Sequence, residues 1–258
     1  MPANYAFHRF GAQALNRLPE TQQRPIRRFR RMYNGGLHGA DLFFYSQPMM
    51  AAPVRELYDT YHSMTGREFF AQACQVLQQN PSEGGTACLY GLLANYCLNS
   101  CLSDLFREAM RQGDFSRTEL EVDLDRYLLW RDGKMPAHLQ DTCSGLQMTR
   151  GECVTMSLFF PPATAANTYA AYRSMISWSR RMAAKKRGLT QQMLKLTQGT
   201  FRDQMMADHA NHKCLHLDSA MEDCFNRALE QYAEMARQLT AFREQGIPLS
   251  NLFAPTFH

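Results

Sequence analysis

Three polar side chains recur at every fourth position of a mostly apolar stretch. Asn95, Asn99 and Ser103 lie within residues 89–106, where most of the other side chains are apolar. A spacing of four residues places them on one face of a helix. Because buried polar groups need hydrogen-bond partners, this face predicts a polar site inside the protein, in which the three side chains bond to one another.

A glycine-rich segment, residues 35–45, also carries side chains capable of chemistry. Its three glycines allow tight, left-handed backbone, and its aromatic end can anchor the segment on a core. Such a loop can turn His38 and Asp41 inward toward a site. The alternative is a glycine-rich turn that exposes both side chains.

A third group of candidate ligands lies in the carboxyl half of the chain. If the segment is helical, His209, His212 and His216 share one face, since offsets of three and seven residues return to nearly the same direction. Three histidines on one face can bind a transition metal. A helix break in the segment, or simple solvation of the three rings, is the competing interpretation.

The composition indicates an ordinary globular protein. The 258 residues, 45% of them hydrophobic, suffice for a sizeable core in one large domain or two small ones. The start of the chain has no signal-peptide pattern, and no apolar run is long enough to span a bilayer, so we expect a cytoplasmic protein. The eight cysteines have no CxxC spacing and are expected to be reduced and buried.

Apolar residues return at intervals of three and four through most of the chain, which predicts an all-α fold. Ser116 followed by Glu119 is typical of a capping box at a helix start. The expected helices cover residues 6–18, 21–33, 53–79, 85–112, 117–131, 161–187, 189–211 and 218–244.

Two arginine-rich runs concentrate the net charge of +4, one at residues 27–31 and one at 180–187. Such runs can contact phosphates of a nucleic acid or a membrane surface. No nucleic-acid-binding motif accompanies them, so we interpret both as solvated helix faces and expect no nucleic-acid partner.

Several motifs in the first half of the chain together resemble the bacterial zinc-dependent phospholipase C family, in particular its short cytoplasmic branch without a signal peptide. The second half is similar only loosely. The resemblance rests on MPANYAFHRFG at residues 1–11, GLHGADLFFY at 36–45, His62 seven residues before Phe69-Phe70, LYG at 89–91 and ELEVDLDRYLL at 119–129.

The resemblance implies a single all-α domain over residues 1–258, of the phospholipase C and P1 nuclease type. It also implies a cluster of zinc ions, which would activate water against a phosphodiester and neutralise charge on the phosphate. The family's ligand positions fall on His8, Asp41 and His62, on a row in the central helix and on a His-x-x-x-Glu pair that ends at Glu121.

The sequence departs from the family pattern at four of these ligand positions. Asn95, Asn99 and Ser103 occupy the central-helix row, and Arg117 stands where the histidine of the last pair is expected. Carboxamides and hydroxyls are poor zinc ligands, so an intact cluster is not expected. Cys97 and Cys101 cannot substitute, because two residues along a helix is about 200° and directs them to the opposite face.

The ligands that remain are His8, His38, Asp41, His62 and Glu121. Three protein ligands and a water suffice for a catalytic zinc, so these residues can hold one ion. The alternative is that they are buried polar residues satisfied by hydrogen bonds.

Arg117 lies four residues before Glu121, within reach of its carboxylate. We therefore predict that this ion pair, with the Asn95, Asn99 and Ser103 row, replaces part of the metal cluster. The competing interpretation is an exposed pair of surface charges that contributes little to stability.

Two classes of function follow. The chain is expected to be a degenerate relative that binds a phosphate-bearing ligand or a partner protein in the old site, with His38 and Arg117 lining the pocket. The alternative is an active phosphodiester hydrolase with Asp41 and Glu121 at a reduced zinc site. Nucleic-acid binding through the arginine runs is a third, weaker hypothesis.

Overall fold

The computed structural model describes residues 4–45, 53–113, 115–183, 205–207 and 209–257. Within these ranges the regular secondary structure is helical, and extended backbone pairs only at an isolated bridge between Thr65 and Thr256. The helices are α1 Asn4–Leu15, α2 Glu20–Arg28, α3 Arg30–Gly36, α4 Asp41–Phe44, α5 Pro53–Ser63, α6 Gly66–Gln79, α7 Glu83–Gln112, α8 Arg117–Arg131, α9 Arg150–Ser157, α10 Ala165–Met182 and α11 Asp218–Gln245.

Helix α7 forms the centre of the fold. It is 30 residues long, about 45 Å at 1.5 Å per residue, and every residue from 87 to 99 is buried. Helices α3 and α11 make its most extensive contacts. Cys97 bonds to the carbonyl of Ala228 on α11, whereas Asn95 bonds to the segment after α3. Polar residues of α7 therefore lie deep in the protein and must find partners there.

Glycines bring α3 and α7 into direct backbone contact. A Cβ on Gly36 would lie 2.3 Å from the Cys88 carbonyl oxygen, and one on Gly91 would lie 2.2 Å from the Tyr33 carbonyl oxygen. Both glycines are needed for this close approach. The approach places the residues after α3, which lead to Asp41, against the polar face of α7.

Helices α6 to α10 begin at side-chain caps. Ser116 and Glu119 form the expected capping box of α8, and Thr65 and Glu68 form one at α6. The second box breaks the predicted helix 53–79 into α5 and α6, because Thr65 has extended backbone. The predicted helix 21–33 is also two helices, separated at Phe29.

The carboxyl half departs further from the predicted helices. The helix expected from residue 161 begins at Ala165, where Thr164 and Asn167 form a capping box. Helix α9, capped by Thr149 and Glu152, was not predicted. Of the predicted helix 189–211, residues 189–204 and 208 lie outside the described residues, and 205–207 and 209–211 are not helical.

The cysteines and the apolar character of the helices were also subjects of prediction from the sequence. All eight cysteines are free, and all but Cys101 are fully buried. In the described ranges no helix combines the length and the apolar character required to cross a membrane.

Candidate functional site

The site begins with a buried contact between two short elements. Asp41 is the first residue of α4, and His62 lies in the last turn of α5. The Nε2 atom of His62 lies 2.9 Å from Oδ1 of Asp41, and its Nδ1 lies 2.7 Å from the carbonyl oxygen of Tyr58. The carbonyl oxygen can only accept, so Nδ1 carries a proton and Nε2 is the ring atom that contacts Asp41.

Asn95 connects this pair to the central helix. Its Nδ2 donates to the carbonyl oxygen of Leu37 at 3.0 Å and to Oδ2 of Asp41 at 3.1 Å. Because both neighbours are acceptors, they fix which end of the carboxamide faces them. Each oxygen of the Asp41 carboxyl group thereby has a polar partner.

The hydrogen bonds continue along α7 to α8. Asn99 donates from Nδ2 to Oδ1 of Asn95 at 3.3 Å, and Arg117 donates from Nη2 to Oδ1 of Asn99 at 3.4 Å. Arg117 also donates from Nε to Oε1 of Glu121 at 2.9 Å. We call this connected set the polar network; its members are His62, Asp41, Asn95, Asn99, Arg117 and Glu121.

The polar network lies almost entirely away from solvent. Asn95 is 1% exposed, and the side chains of Arg117 and Glu121 are 16% and 8% exposed. The Arg117 guanidinium also lies 5.6 Å from the centre of the Phe106 ring, within range of a cation–π contact. The Arg117–Glu121 pair is therefore not an exposed surface pair.

Ser103 departs from the predicted arrangement. Its hydroxyl oxygen accepts a hydrogen bond from Nη2 of Arg107 at 3.2 Å and makes no bond to Asn99. Arg107 also pairs with Asp104, and its side chain is 64% exposed. Ser103 therefore marks the end of the polar face, where the row of α7 approaches solvent.

The His38 ring is buried with one nitrogen atom unsatisfied, since its Nδ1 has no hydrogen-bond partner among the described residues. Gly39, which follows it, has a left-handed φ of +49°, and a Cβ there would lie 3.3 Å from Oδ1 of Asn95. Burial lowers the pKa of His38 to about 4, against the nearby Asp41 charge, so the ring is neutral near pH 7.

His8 lies on α1, apart from the polar network. It is half-buried, and burial together with the positive charges of Arg30 and Lys134 lowers its pKa. Its ring packs beside Gly145, where a Cβ would lie 3.1 Å from Cε1 of the ring. Besides burial, the charge of His8 also lowers the pKa of His38, the buried histidine beside the polar network.

The side chains of the site do not fit the implied zinc cluster. Asp41 and His62 contact each other, and the guanidinium of Arg117 contacts the Glu121 carboxylate. In the described part of the chain no three His, Cys, Asp or Glu residues are grouped so that they could hold a metal ion. Hydrogen bonds through Asn95 and Asn99 instead connect the contact between Asp41 and His62 to the ion pair of Arg117 with Glu121.

The second candidate metal cluster is not arranged as its spacing predicted. His209, His212 and His216 do not share a helix, because residues 209–211 are irregular, 212 lies in a turn and 216 lies in a short 3₁₀ helix. His209 and His212 face a cavity of about 360 Å³ beside Asp123, and His216 is not among the residues that line it. The premise of one histidine face is therefore wrong.

Some residues of the site carry no clear signal in the sequence. Tyr58 contributes its carbonyl oxygen and a ring whose centre lies 4.1 Å from that of His62. The carbonyl of Leu37 is a backbone group, so no side-chain pattern could reveal it. Arg107 could have been found, since it follows Ser103 by four residues.

Asp125, one turn after Glu121, fastens α8 to the start of α1. Its carboxylate accepts the backbone N–H of Tyr5 at 3.0 Å and of Ala6 at 2.7 Å, two donors that a helix start leaves without helical partners. Burial raises the pKa of Asp125 to about 7, although the two N–H groups favour the carboxylate.

Comparison of the chain with protein-family models, with curated proteins and with solved structures finds no match in any of the three.

Proposed function

We propose that this chain is a metal-independent relative of the zinc-dependent phospholipase C type that binds a phosphate-bearing ligand near Arg117 and does not hydrolyse it. The observation that carries the proposal is the unbroken polar network from His62 to Glu121. It occupies the positions at which the family resemblance expects zinc ligands. In this proposal, hydrogen bonds and an ion pair take over the structural task of the metals.

The chemistry of the side chains that stand at the expected ligand positions supports this interpretation. Arg117 is permanently charged, so it supplies positive charge beside Glu121 at every accessible pH. Asn95 and Asn99 can each donate and accept, which lets them connect Asp41 to Arg117 without adding charge. Three of the four replacing side chains, Asn95, Asn99 and Arg117, form one hydrogen-bonded row.

Two guanidinium groups favour a phosphate-bearing ligand. Arg117 bonds to Asn99, and Arg107 bonds to Ser103 one turn further along α7. Nε and Nη2 of Arg117 are engaged, while Nη1 donates to no acceptor among the described residues. A guanidinium with free N–H groups at the partly exposed end of a polar row is a typical contact for phosphate.

Hydrolysis is not expected because both carboxylates of the site already have partners. Asp41 contacts His62 and accepts from Asn95, and Glu121 accepts from Arg117. Neither carboxylate is arranged to activate a water molecule as a general base.

Calorimetric titration of the full chain with phosphocholine and with inorganic phosphate tests the proposal. We expect binding of at least one of the two, and a loss of about tenfold or more in affinity for Arg117→Gln. Arg111→Gln is the matched control, since Arg111 is exposed and pairs only with Glu108 on its own helix. Undetectable heat with both ligands would contradict the binding proposal.

The alternative of an active hydrolase is tested with the same protein. Hydrolysis of bis-(p-nitrophenyl) phosphate, measured with and without added Zn²⁺, should not exceed the rate without protein. Zinc-stimulated turnover that Asp41→Asn abolishes would favour the hydrolase instead.

A further inference from the structure

A groove of about 650 Å³ lies between α10 and the segment that leads into α9. Its lining includes Gln147 and Thr149 from that segment and Tyr169, Arg173 and Ser177 from α10. It is separate from the polar network, with which it shares no residue. We refer to it as the basic groove.

The basic groove brings the two arginine-rich runs of the sequence together. Arg31, from the run at residues 27–31, lines one side, and Arg180 and Arg181, from the second run, line another. About 150 residues of sequence separate the two runs. Their convergence is a property of the fold and was not predicted from either run alone.

The charge of the groove is not neutralised by its own walls. Among the described residues that line it, four are arginines and none is acidic. Arg31 pairs with Glu152 at 2.9 Å, and Arg180 lies 3.4 Å from Asp141, with both arginine side chains more than half exposed. Arg173 is exposed and has no carboxylate partner in the described part of the chain. The groove therefore keeps a positive potential.

Aromatic rings and fixed backbone give the groove a shaped wall. Arg150 lies 5.3 Å from the centre of the Tyr169 ring. The Tyr172 hydroxyl accepts from the N–H of Met148 and donates to the carbonyl of Leu146, so the segment is tied to α10. A concave basic surface with an aromatic side chain in its wall is typical of proteins that bind single strands.

We propose that the basic groove binds single-stranded nucleic acid, chiefly through its backbone phosphates. The concave shape and the aromatic wall favour a flexible strand over a flat lipid surface. Arg31, Arg173, Arg180 and Arg181 in the lining supply the contacts. The interaction is expected to be insensitive to base sequence, because contacts to backbone phosphates carry no sequence information.

Fluorescence anisotropy with a labelled 15-nucleotide oligo-uridine tests this inference on the full chain. We expect binding at low salt, with an affinity that falls linearly on a logarithmic salt scale. The double variant Arg173→Gln, Arg180→Gln should lower affinity at least tenfold and reduce the salt slope by about 1.4, at roughly 0.7 per lost phosphate contact.

A second double variant, Arg111→Gln with Arg237→Gln, removes the same charge elsewhere. Both of these arginines are about 70% exposed and pair with a glutamate on their own helix. Equal losses in the two double variants, or no binding of the oligonucleotide in 20 mM salt, would overturn the inference. So would retention on vesicles of anionic phospholipid that the oligonucleotide does not displace. Circular dichroism of each variant checks that it is folded.

Discussion

The Arg117 guanidinium lies 2.9 Å from the Glu121 carboxylate, and the two side chains are only 16% and 8% exposed. This pair is one end of the polar network, because Arg117 also donates to Asn99 on α7. A buried pair of this kind differs from a surface pair in one respect that can be measured. Removal of either partner leaves the other charge in a poorly solvated place.

We predict that Arg117→Ala destabilises the protein by about 3 kcal/mol, because it leaves the Glu121 carboxylate buried and deprives Asn99 of a donor. The free energy of unfolding in urea measures the effect. Arg111→Ala, on an exposed arginine, should change it by less than about 0.5 kcal/mol. A similar small change for Arg117→Ala would identify the pair as incidental.

Asn95→Leu should cost about 3 kcal/mol, although leucine has nearly the same volume. The substitution removes the donor to Leu37 and Asp41 and the acceptor for Asn99. Asn16→Leu, at an exposed turn position, is the control and should change stability by less than about 0.5 kcal/mol. If the two variants unfold at the same urea concentration, the buried carboxamide does not hold the site together.

The sequence identified the side chains of the site better than their pairing. The four-residue spacing of Asn95 and Asn99 predicted a hydrogen bond that is present, since a helix alone fixes that distance. Ser103 has the same spacing and is also buried, but its hydroxyl accepts from Arg107, a partner on the next turn of α7. The contact of His62 with Asp41 joins two different helices, and such geometry depends on the packing of the whole chain.

In the fold, too, some elements were predicted from the sequence and others were not. Periodicity predicted the central helix and α8 to within a few residues, since their apolar faces are long. The break at Thr65 escaped prediction because the apolar period continues through it, while its capping box with Glu68 ends one helix and starts the next.

His38 should make the protein less stable at mildly acidic pH. Its pKa is lowered to about 4 in the folded state, so between about pH 6.5 and pH 4 the unfolded state binds more protons. Its contribution is present above pH 6.5 and is lost as the pH falls toward 4, by up to about 3 kcal/mol. Unfolding free energies of wild type and His38→Gln, compared at several pH values, isolate this loss. Parallel curves would show that His38 is not buried in its neutral form.

Asp125 should make the protein less stable as the pH rises, the opposite of the effect of His38. Its pKa is raised to about 7, so the folded state binds more protons between about pH 4 and pH 7. Its contribution to stability is therefore greatest below pH 4 and declines as the pH rises through 7. Relative to wild type, Asp125→Asn should lose less stability over this rise in pH. A difference that grows in the other direction would mean that the hydrogen bonds from Tyr5 and Ala6 outweigh burial.

We propose that the hydrogen bonds and the ion pair of the polar network stand at the positions where the family resemblance expects zinc ligands. Elemental analysis of the full chain, purified without chelator and then melted with and without EDTA, tests it most directly. We predict less than about 0.1 zinc ion per chain and a melting temperature that EDTA does not change. One or more zinc ions per chain, removed by EDTA together with a fall in melting temperature, would contradict the claim.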